Sequence, residues 1–300
     1  MKIAVTGGTG FVGRSLTNEL INKGHEVLVL TRNIKNKTNS KQLSYVQWLN
    51  EDDKPEETLE GIDVLINLAG ESINSGRWTD ERKGIILDSR ISATREVLRI
   101  FKNLNKKPDT FINASAVGFY GTSVTKTYTE ESIEAGLDYL AKTVQKWEIE
   151  AHKAQEIGIR TVLCRFGIIL DKNNGALPRI ALPYKLFTGG TVGTGNQWVS
   201  WIHLKDVIKG IMFAIKEELV EGPVNFTAPN PVTMREFGQT LGEVLHRPHW
   251  MPAPAFALKA ALGEMSILVL EGQKVIPGKL VSNGYPFLFE DIRSALKDIY

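Results

Sequence analysis

Three glycines at three-residue spacing, Gly7, Gly10 and Gly13, separate a short apolar run, Ile3 to Val5, from a segment with helical periodicity. Glycines so placed allow a tight turn and let the backbone approach a pyrophosphate, whose charge is stabilised at the N-terminus of the following helix. Because a strand-like run precedes the glycines and an apolar helical stripe follows them, the pattern favours a dinucleotide site over an ordinary turn. The residues predicted to contact the cofactor here are Gly7, Thr9, Gly10, Phe11, Val12 and Gly13.

The end of the second apolar run indicates which dinucleotide is bound. NAD sites usually place an Asp or Glu there for the ribose hydroxyls, whereas this chain has Thr31 followed by Arg32. The planar guanidinium of an arginine can pair with a 2′-phosphate. Thr31 and Arg32 are therefore predicted to favour NADP (NADPH) over NAD. The alternative is that Arg32 is a solvated residue at the end of a strand.

Two later apolar runs also end in small or polar residues. Asn67, Leu68, Ala69 and Gly70 end the run that begins at Val64, and Ser115 to Gly121 follow a run that begins at Thr110. In open parallel sheets, ligands bind outside the carboxyl ends of the strands. We expect residues 67–70 to let the cofactor approach closely, and Ser115 to face the nicotinamide.

The elements that must position these residues follow from an alternation of apolar runs with helical segments. Helices are expected over residues 79–103 and 136–157, the second ended by Gly158. The strand-like runs, each of which follows or precedes a helical stretch, are Val27 to Thr31, Val64 to Ala69, Thr110 to Ser115 and Arg160 to Phe166. This alternation predicts an α/β fold with a Rossmann-type, doubly wound parallel sheet.

The regular alternation stops after about residue 170. We expect residues 1–170 to form the NADP-binding Rossmann domain, rejoined by 198–227, and residues 171–197 and 228–300 to form a smaller substrate-side lobe. Proline-bearing sequence leads into a C-terminal extension, 252–300, with an apolar helix expected from Phe256 to Leu270.

The composition restricts the function classes. A net charge of +2 gives no electrostatic indication of nucleic acid or of an acidic membrane surface. The single cysteine, Cys164, lies in an apolar run and has no partner for a disulfide, and no cluster of residues has metal-ligand spacing. With no signal-peptide pattern and no apolar stretch of the ~18 residues that a spanning helix needs, the expected location is cytoplasmic.

The chain resembles the extended branch of the short-chain dehydrogenases/reductases, which includes sugar-nucleotide epimerases and dehydratases. The likeness covers most of the chain and rests on the glycine turn and on three later motifs, Asn67 to Gly70, Ser115 to Gly121 and Arg165-Phe166-Gly167. More narrowly, the chain is similar to atypical epimerase-family proteins, which sometimes carry a cell-division-inhibitor label and have no established reaction. The motifs shared with these proteins are Asn67 to Glu71, Ser89-Arg90, Lys146-Trp147-Glu148, Ser200 to His203 and Leu270 to Pro277.

The resemblance implies further binding residues and a partner. In the related folds, Arg90 would lie beside the pyrophosphate and Arg165 at the end of the sixth strand, where each can bind polar cofactor groups. A surface or structural ion pair is the alternative for each arginine. Helices 79–103 and 136–157 correspond to the four-helix interface of related homodimers.

The catalytic residues of the superfamily are not found here. Extended members use a Tyr and a Lys four residues apart, and the corresponding positions in this chain are Leu140 and Val144. Tyr139 and Lys142 lie three apart, which rotates the pair by about 60° on a helix. The orienting Ser or Thr is replaced by Ala116.

Other groups must supply any acid or base. The candidates are Ser115, Tyr120 and Glu71, each with a structural alternative, whereas His203 is expected to be a hydrogen-bonded structural residue. The leading hypothesis is an NADP-binding epimerase or reductase that transfers hydride on a small or sugar-like substrate. The competing hypothesis is a sensor or scaffold that binds NADP without turnover.

Overall fold

The computed structural model describes all 300 residues. Eleven α-helices surround the strands: α1 (Phe11–Asn22), α2 (Pro55–Leu59), α3 (Asp80–Asn103), α4 (Tyr139–His152), α5 (Leu177–Lys185), α6 (Leu204–Lys216), α7 (Met234–Leu245), α8 (Ala255–Leu262), α9 (Ile267–Leu270), α10 (Gly278–Ser282) and α11 (Ile292–Ile299). Three short 3₁₀ helices cover Val117–Tyr120, Gln155–Ile157 and Gly263–Ser266. None of the helices is both long enough and apolar enough to cross a membrane.

Thirteen strands are present: β1 (Lys2–Thr6), β2 (Glu26–Thr31), β3 (Leu43–Gln47), β4 (Val64–Asn67), β5 (Thr110–Ala116), β6 (Thr127–Tyr128), β7 (Arg160–Phe166), β8 (Ile168–Leu170), β9 (Trp198–Val199), β10 (Trp201–His203), β11 (Gly222–Phe226), β12 (Val232–Thr233) and β13 (Lys274–Val275). Seven of them form one sheet in the order β11-β7-β5-β4-β1-β2-β3, and every neighbouring pair is parallel. The strand order reverses between β1 and β4, so the carboxyl ends of these two strands border the crevice where such sheets bind ligands. The predicted doubly wound Rossmann-type fold is confirmed.

The two faces of the sheet are covered by different helices. In β1, Ile3 and Val5 pack into a cluster with residues of α1 and α6, whereas Ala4 packs into a second cluster with residues of α3 and α4. This division follows from the two-residue side-chain period of a strand. A third, smaller apolar cluster joins α5, α7 and α11.

The C-terminal residues differ in two ways from the expected continuous helix. The helix expected from Phe256 to Leu270 is interrupted by a 3₁₀ turn at Gly263, whose φ of +59° a helix cannot continue through. Farther on, Leu280 and Tyr285 pack into the cluster under the main sheet rather than into the small one. The extension therefore runs from the smaller lobe back to the Rossmann core.

Candidate functional site

The glycine turn lies where the main chain of β4 leaves the sheet. Gly7 has a φ of +65°, and a Cβ on it would stand 2.6 Å from the carbonyl oxygen of Leu68. A Cβ on Gly13 would overlap the carbonyl oxygen of Gly7. Both positions require glycine, because any side chain would displace the turn from the strand ends beside it.

The first turn of α1 presents free backbone donors. Gly10 occupies the N-cap position without a side-chain hydrogen bond, and no acidic residue lies in the first turn. The first bond of the helical ladder runs from Arg14 N to Gly10 O, so the preceding N–H groups have no helical acceptor. An uncapped helix end of this kind suits a phosphate group.

The residues at the end of β2 are open to a ligand. Arg32 is exposed and forms no ion pair, and only its backbone oxygen is engaged, by Asn50 Nδ2 at 3.4 Å. Thr31 is half-buried and donates its hydroxyl to Asn33 O at 3.3 Å. The guanidinium of Arg32 is therefore available to an anionic group.

Asn67 has a structural role at the site, where its side chain hydrogen-bonds to neighbouring elements. Its side chain is fully buried, accepts from Thr6 Oγ1 at 2.6 Å and donates to Asn113 Oδ1 at 2.7 Å and Thr94 Oγ1 at 3.2 Å. These bonds join β1, β4, β5 and α3 at the edge where the glycine turn lies. The same amide oxygen accepts from Ala69 N at 3.3 Å, so Asn67 positions the backbone of residues 68–70.

Arg90 is a half-buried cation without an acidic partner. Its Nη1 donates to the carbonyl oxygens of Glu71, at 3.0 Å, and Ile86, at 2.8 Å, while its guanidinium lies 5.2 Å from the ring centre of Trp147. Desolvation lowers its pKa more than the nearby charge of Glu71, which forms no ion pair with Arg90, raises it. Its side chain lies directly against Gly70. The site thus contains a positive charge without an ion-pair partner beside the end of β4, where it could bind an anionic cofactor group.

Arg165 lies in a buried ion pair, the alternative that the sequence left open. Its Nε and Nη2 donate to the two carboxylate oxygens of Glu148, at 2.8 and 2.7 Å, and both side chains are nearly inaccessible. Burial alone would lower the pKa of Arg165, but the hydrogen bonds and charge of Glu148 outweigh it and raise the pKa. Nη1 donates to Tyr120 Oη at 2.9 Å.

Two of the three catalytic candidates belong to this network. Ser115 donates to Glu148 Oε1 at 2.5 Å, and Tyr120 donates to Asn225 Oδ1 at 2.8 Å. Both residues are buried, and burial raises the pKa of the Tyr120 hydroxyl. The third, Glu71, keeps a partly exposed carboxylate that pairs with Arg82 at 3.3 Å.

In α4, apolar side chains occupy the positions at which other members of the superfamily have the catalytic Tyr and Lys. Leu140 faces the turn after β5, with its Cβ 3.6 Å from the position a Cβ on Gly118 would take, and Val144 is buried. Tyr139 points to α3, where its hydroxyl donates to Lys83 O at 3.0 Å and its ring meets Trp78 edge to face. Tyr139 is thus engaged away from the turn that Leu140 faces.

In the sequence, Glu148 was noted only as part of a motif, and its role as the buried partner of Arg165 was not predicted. The signal was present, because the apolar stripe of α4, with Val144, Trp147 and Ala151, contains this carboxylate. A charged residue inside a buried helical stripe indicates a buried partner of opposite charge.

His203 has a structural role. Its Nδ1 caps α6 by accepting from Lys205 N at 3.1 Å, its ring lies 4.2 Å from that of Phe289, and its Nε2 is 3.3 Å from Asp298. Burial lowers its pKa to about 4.

This lowered pKa predicts a loss of stability in acid. The unfolded chain binds the proton at the ordinary pKa of about 6.5, so the contribution of neutral His203 is complete above that pH and is lost as the pH falls through about 4. We expect the loss to be about 3 kcal/mol. Urea unfolding from pH 7 to pH 4 should show it as the difference between the wild type and His203→Asn, which keeps a capping oxygen but does not titrate. Parallel pH profiles for the two proteins would contradict the assignment.

The fold and the site define a Rossmann protein of the extended short-chain dehydrogenase/reductase type, a class that binds a nicotinamide dinucleotide. Residues 3–225 match the NAD dependent epimerase/dehydratase family, and the chain belongs to this family. Residues 253–299 match a domain of unknown function, DUF1731.

Relatives of known sequence and structure cover the whole chain. The chain is 50% identical over 299 residues to the epimerase family protein YfhF of Bacillus subtilis, covering 100% of this chain and 98% of the relative. It is similar to the crystal structure of human epimerase family protein SDR39U1 with NADPH, with a TM-score of 0.86, 31% identity and coverage of 100% and 99%. A nucleoside-diphosphate sugar epimerase from Corynebacterium glutamicum gives a TM-score of 0.78 at 32% identity, with this chain spanning 58% of its length.

Proposed function

We propose that this protein binds NADP(H) in preference to NAD(H) and transfers hydride between the nicotinamide and a small or sugar-like substrate. The observation that carries the cofactor preference is Arg32, an unpaired guanidinium at the end of β2 with no carboxylate for the ribose hydroxyls. The NADPH in the SDR39U1 structure supports the same preference.

The residues of the chain fit such a cofactor from end to end. The amides at the start of α1 would bind the pyrophosphate, Arg32 the 2′-phosphate, and Arg90 an anionic or polar group beside Gly70. When bound, the dinucleotide supplies the hydride. The apolar side chain of Leu140 would restrict water near the turn after β5.

Proton transfer must use a group other than the Tyr and Lys of the superfamily. Ser115 and Tyr120 are buried and already hydrogen-bonded, whereas the Glu71 carboxylate is partly exposed at the end of β4. We infer that Glu71 is the best placed acid or base, with Arg82, 3.3 Å away, fixing the position of its carboxylate.

Hydride transfer is tested by mixing the protein and NADPH with a panel of carbonyl compounds and sugar nucleotides while following nicotinamide absorbance. We expect at least one compound to be reduced, and we expect Glu71→Gln to lose turnover while it keeps NADPH affinity. If tight NADPH binding is accompanied by no turnover of any compound, the result favours the sensor or scaffold hypothesis, which no present observation favours.

Replacing Arg32 by serine should change the cofactor preference. The lost charge-assisted hydrogen bonds are each worth about 1.5–3 kcal/mol, so the NADPH dissociation constant should rise by about 10- to 100-fold. The NADH constant should stay the same, because NADH has no 2′-phosphate. Fluorescence titration with both nucleotides measures the two constants. Arg95→Ser, at an arginine with a 66% exposed side chain on α3, is the control, and equal weakening of both nucleotides would contradict the assignment.

We also propose a homodimer formed through α3 and α4. Both helices leave large apolar side chains in solvent, with Ile85 42% and Ile149 64% exposed. Light scattering should give the mass of two chains for the wild type and of one for Ile149→Asp. A wild-type mass of one chain at high concentration would reject the dimer.

We propose that the protein is located in the cytoplasm. Its one cysteine, Cys164, is a buried free thiol, which suits a reducing compartment.

A further inference from the structure

Five large apolar side chains are exposed together at one corner of the smaller lobe. They lie at the end of α5 and in the loop after α7: Leu182 (54% exposed), Leu186 (63%), Phe187 (55%), Trp250 (64%) and Met251 (41%). Trp250 Nε1 donates to Phe187 O at 2.9 Å, and the backbone amides of Trp250 and Met251 donate to Gly189 O. These bonds tie the two loops side by side. We call these five residues the apolar corner.

The backbone holds Phe187 outward at a conformational cost. Its φ is +61°, in the left-handed region that bulky side chains rarely adopt. Hydrogen bonds from Phe187 N to Tyr184 O and from Thr188 N to Pro183 O maintain the turn. The one charged group on the ring is the Arg247 guanidinium, 4.4 Å from its centre. A strained backbone that exposes an aromatic ring points to a function for that ring.

The charge around the apolar corner is one-sided. Residues 172–205 and 244–263 contain no Asp or Glu but six Lys and Arg residues, of which one, Lys205, is paired with Asp298. Lys185 on α5 and Arg247 have no carboxylate partner. Lys172 and Lys185 both approach the ring of Tyr300, at 5.9 and 5.4 Å, and Asp171 is the acid that lies near the same residue. The acid nearest in sequence, Glu243, is paired with Arg293.

We propose that the apolar corner docks on the surface of a lipid bilayer that contains anionic lipids. Tryptophan, phenylalanine and leucine side chains insert at the boundary between headgroups and acyl chains, and Lys or Arg beside them bind anionic headgroups. Self-association through the same corner is disfavoured, because Glu243, which lines the same cavity as Arg247, is already paired with Arg293 and leaves no free carboxylate for Lys185 and Arg247 of a second copy. The positive surroundings therefore favour an anionic occupant over a second copy.

Vesicle sedimentation with the full chain tests this proposal, which is independent of the hydride chemistry. We expect the protein to sediment with vesicles of phosphatidylcholine containing about 30 mol % phosphatidylglycerol, to bind pure phosphatidylcholine weakly, and to be released by added salt. Phe187→Asn combined with Trp250→Ser should lower the bound fraction by at least about tenfold. Asparagine accepts the left-handed conformation at position 187, so the fold should be kept. Lys185→Glu should weaken binding to the anionic vesicles and leave the weak binding to pure phosphatidylcholine vesicles unchanged.

Matched surface variants and a mass measurement complete the test. Leu219→Ser and Ile133→Ser remove apolar residues that are 77% and 86% exposed elsewhere on the surface, and they should bind vesicles like the wild type. Equal binding of the double variant and the wild type, or failure of the wild type to bind anionic vesicles, would overturn the proposal. It would also be overturned if the double variant lost a concentration-dependent mass increase instead, since the corner would then join copies of the chain.

Discussion

A Gly13→Ala protein is expected to lose most of its affinity for NADPH. The added methyl group would overlap the carbonyl oxygen of Gly7 and also approach the Cα of Gly8, so the turn must move away from α1. Overpacking of this kind costs about 1–3 kcal/mol. If the NADPH-bound conformation is destabilised by that amount, the dissociation constant for NADPH rises by about 10- to 100-fold. Titration by nicotinamide fluorescence measures it directly.

A second glycine provides the control. Gly84, on α3, has open space around the position of a Cβ and an ordinary helical conformation. Gly84→Ala should leave NADPH affinity unchanged and raise the free energy of unfolding by up to about 1 kcal/mol, because alanine favours helix. Wild-type affinity in Gly13→Ala would show that the glycine turn does not hold the cofactor.

The strands that carry the site were predictable because their apolar runs are bounded by residues that end strands. Arg160–Phe166 has the predicted bounds, and the strand from Thr110 is one residue longer than predicted. The edge strand β3 was not predicted. Only Val46 of its five residues is buried, so the sequence lacks the apolar run that marked the others.

The inner arrangement of the site could not be read from spacing alone. Asn67 and Arg165 lie where the sequence placed them, at strand ends, but their side chains face Asn113 and Glu148 from other elements. Those partners are separated by 46 and 17 positions in the chain. Pairings of this kind depend on tertiary packing, which the local pattern of one chain does not specify.

The net charge of the whole chain also failed to predict a local feature of the surface. A net charge of +2 gives no indication of nucleic acid or of an acidic membrane surface, yet residues 172–205 and 244–263, which contain no Asp or Glu, carry six positive charges. The rest of the chain has four more acidic than basic residues. Whole-chain charge averages over surfaces that act separately, so the apolar corner and its basic residues became visible only in the fold.

Removing Arg165 should have the largest effect on stability of any substitution considered for this protein. Arg165→Met would leave the Glu148 carboxylate buried beside Ser115 with its charged partner gone. Breaking a buried pair in this way costs about 3–5 kcal/mol. Urea denaturation should show the loss, and restoring apolar packing with the double variant Arg165→Met, Glu148→Leu should recover at least half of it, since no unpaired charge then remains.

An exposed arginine serves as a control that shows whether the loss of stability in Arg165→Met depends on the burial of the ion pair. Arg99 pairs with Glu56 at 2.9 Å and with Glu96 at 2.8 Å, but its side chain is 40% exposed. Water screens that pair, so Arg99→Met should cost about 1 kcal/mol or less. If Arg165→Met cost no more than Arg99→Met, the Glu148–Arg165 pair would not be the element that fixes the end of β5. If it costs several times more and Ser115→Ala alone leaves stability nearly unchanged, the ion pair rather than the Ser115 hydrogen bond holds β7 and α4 together beside β5.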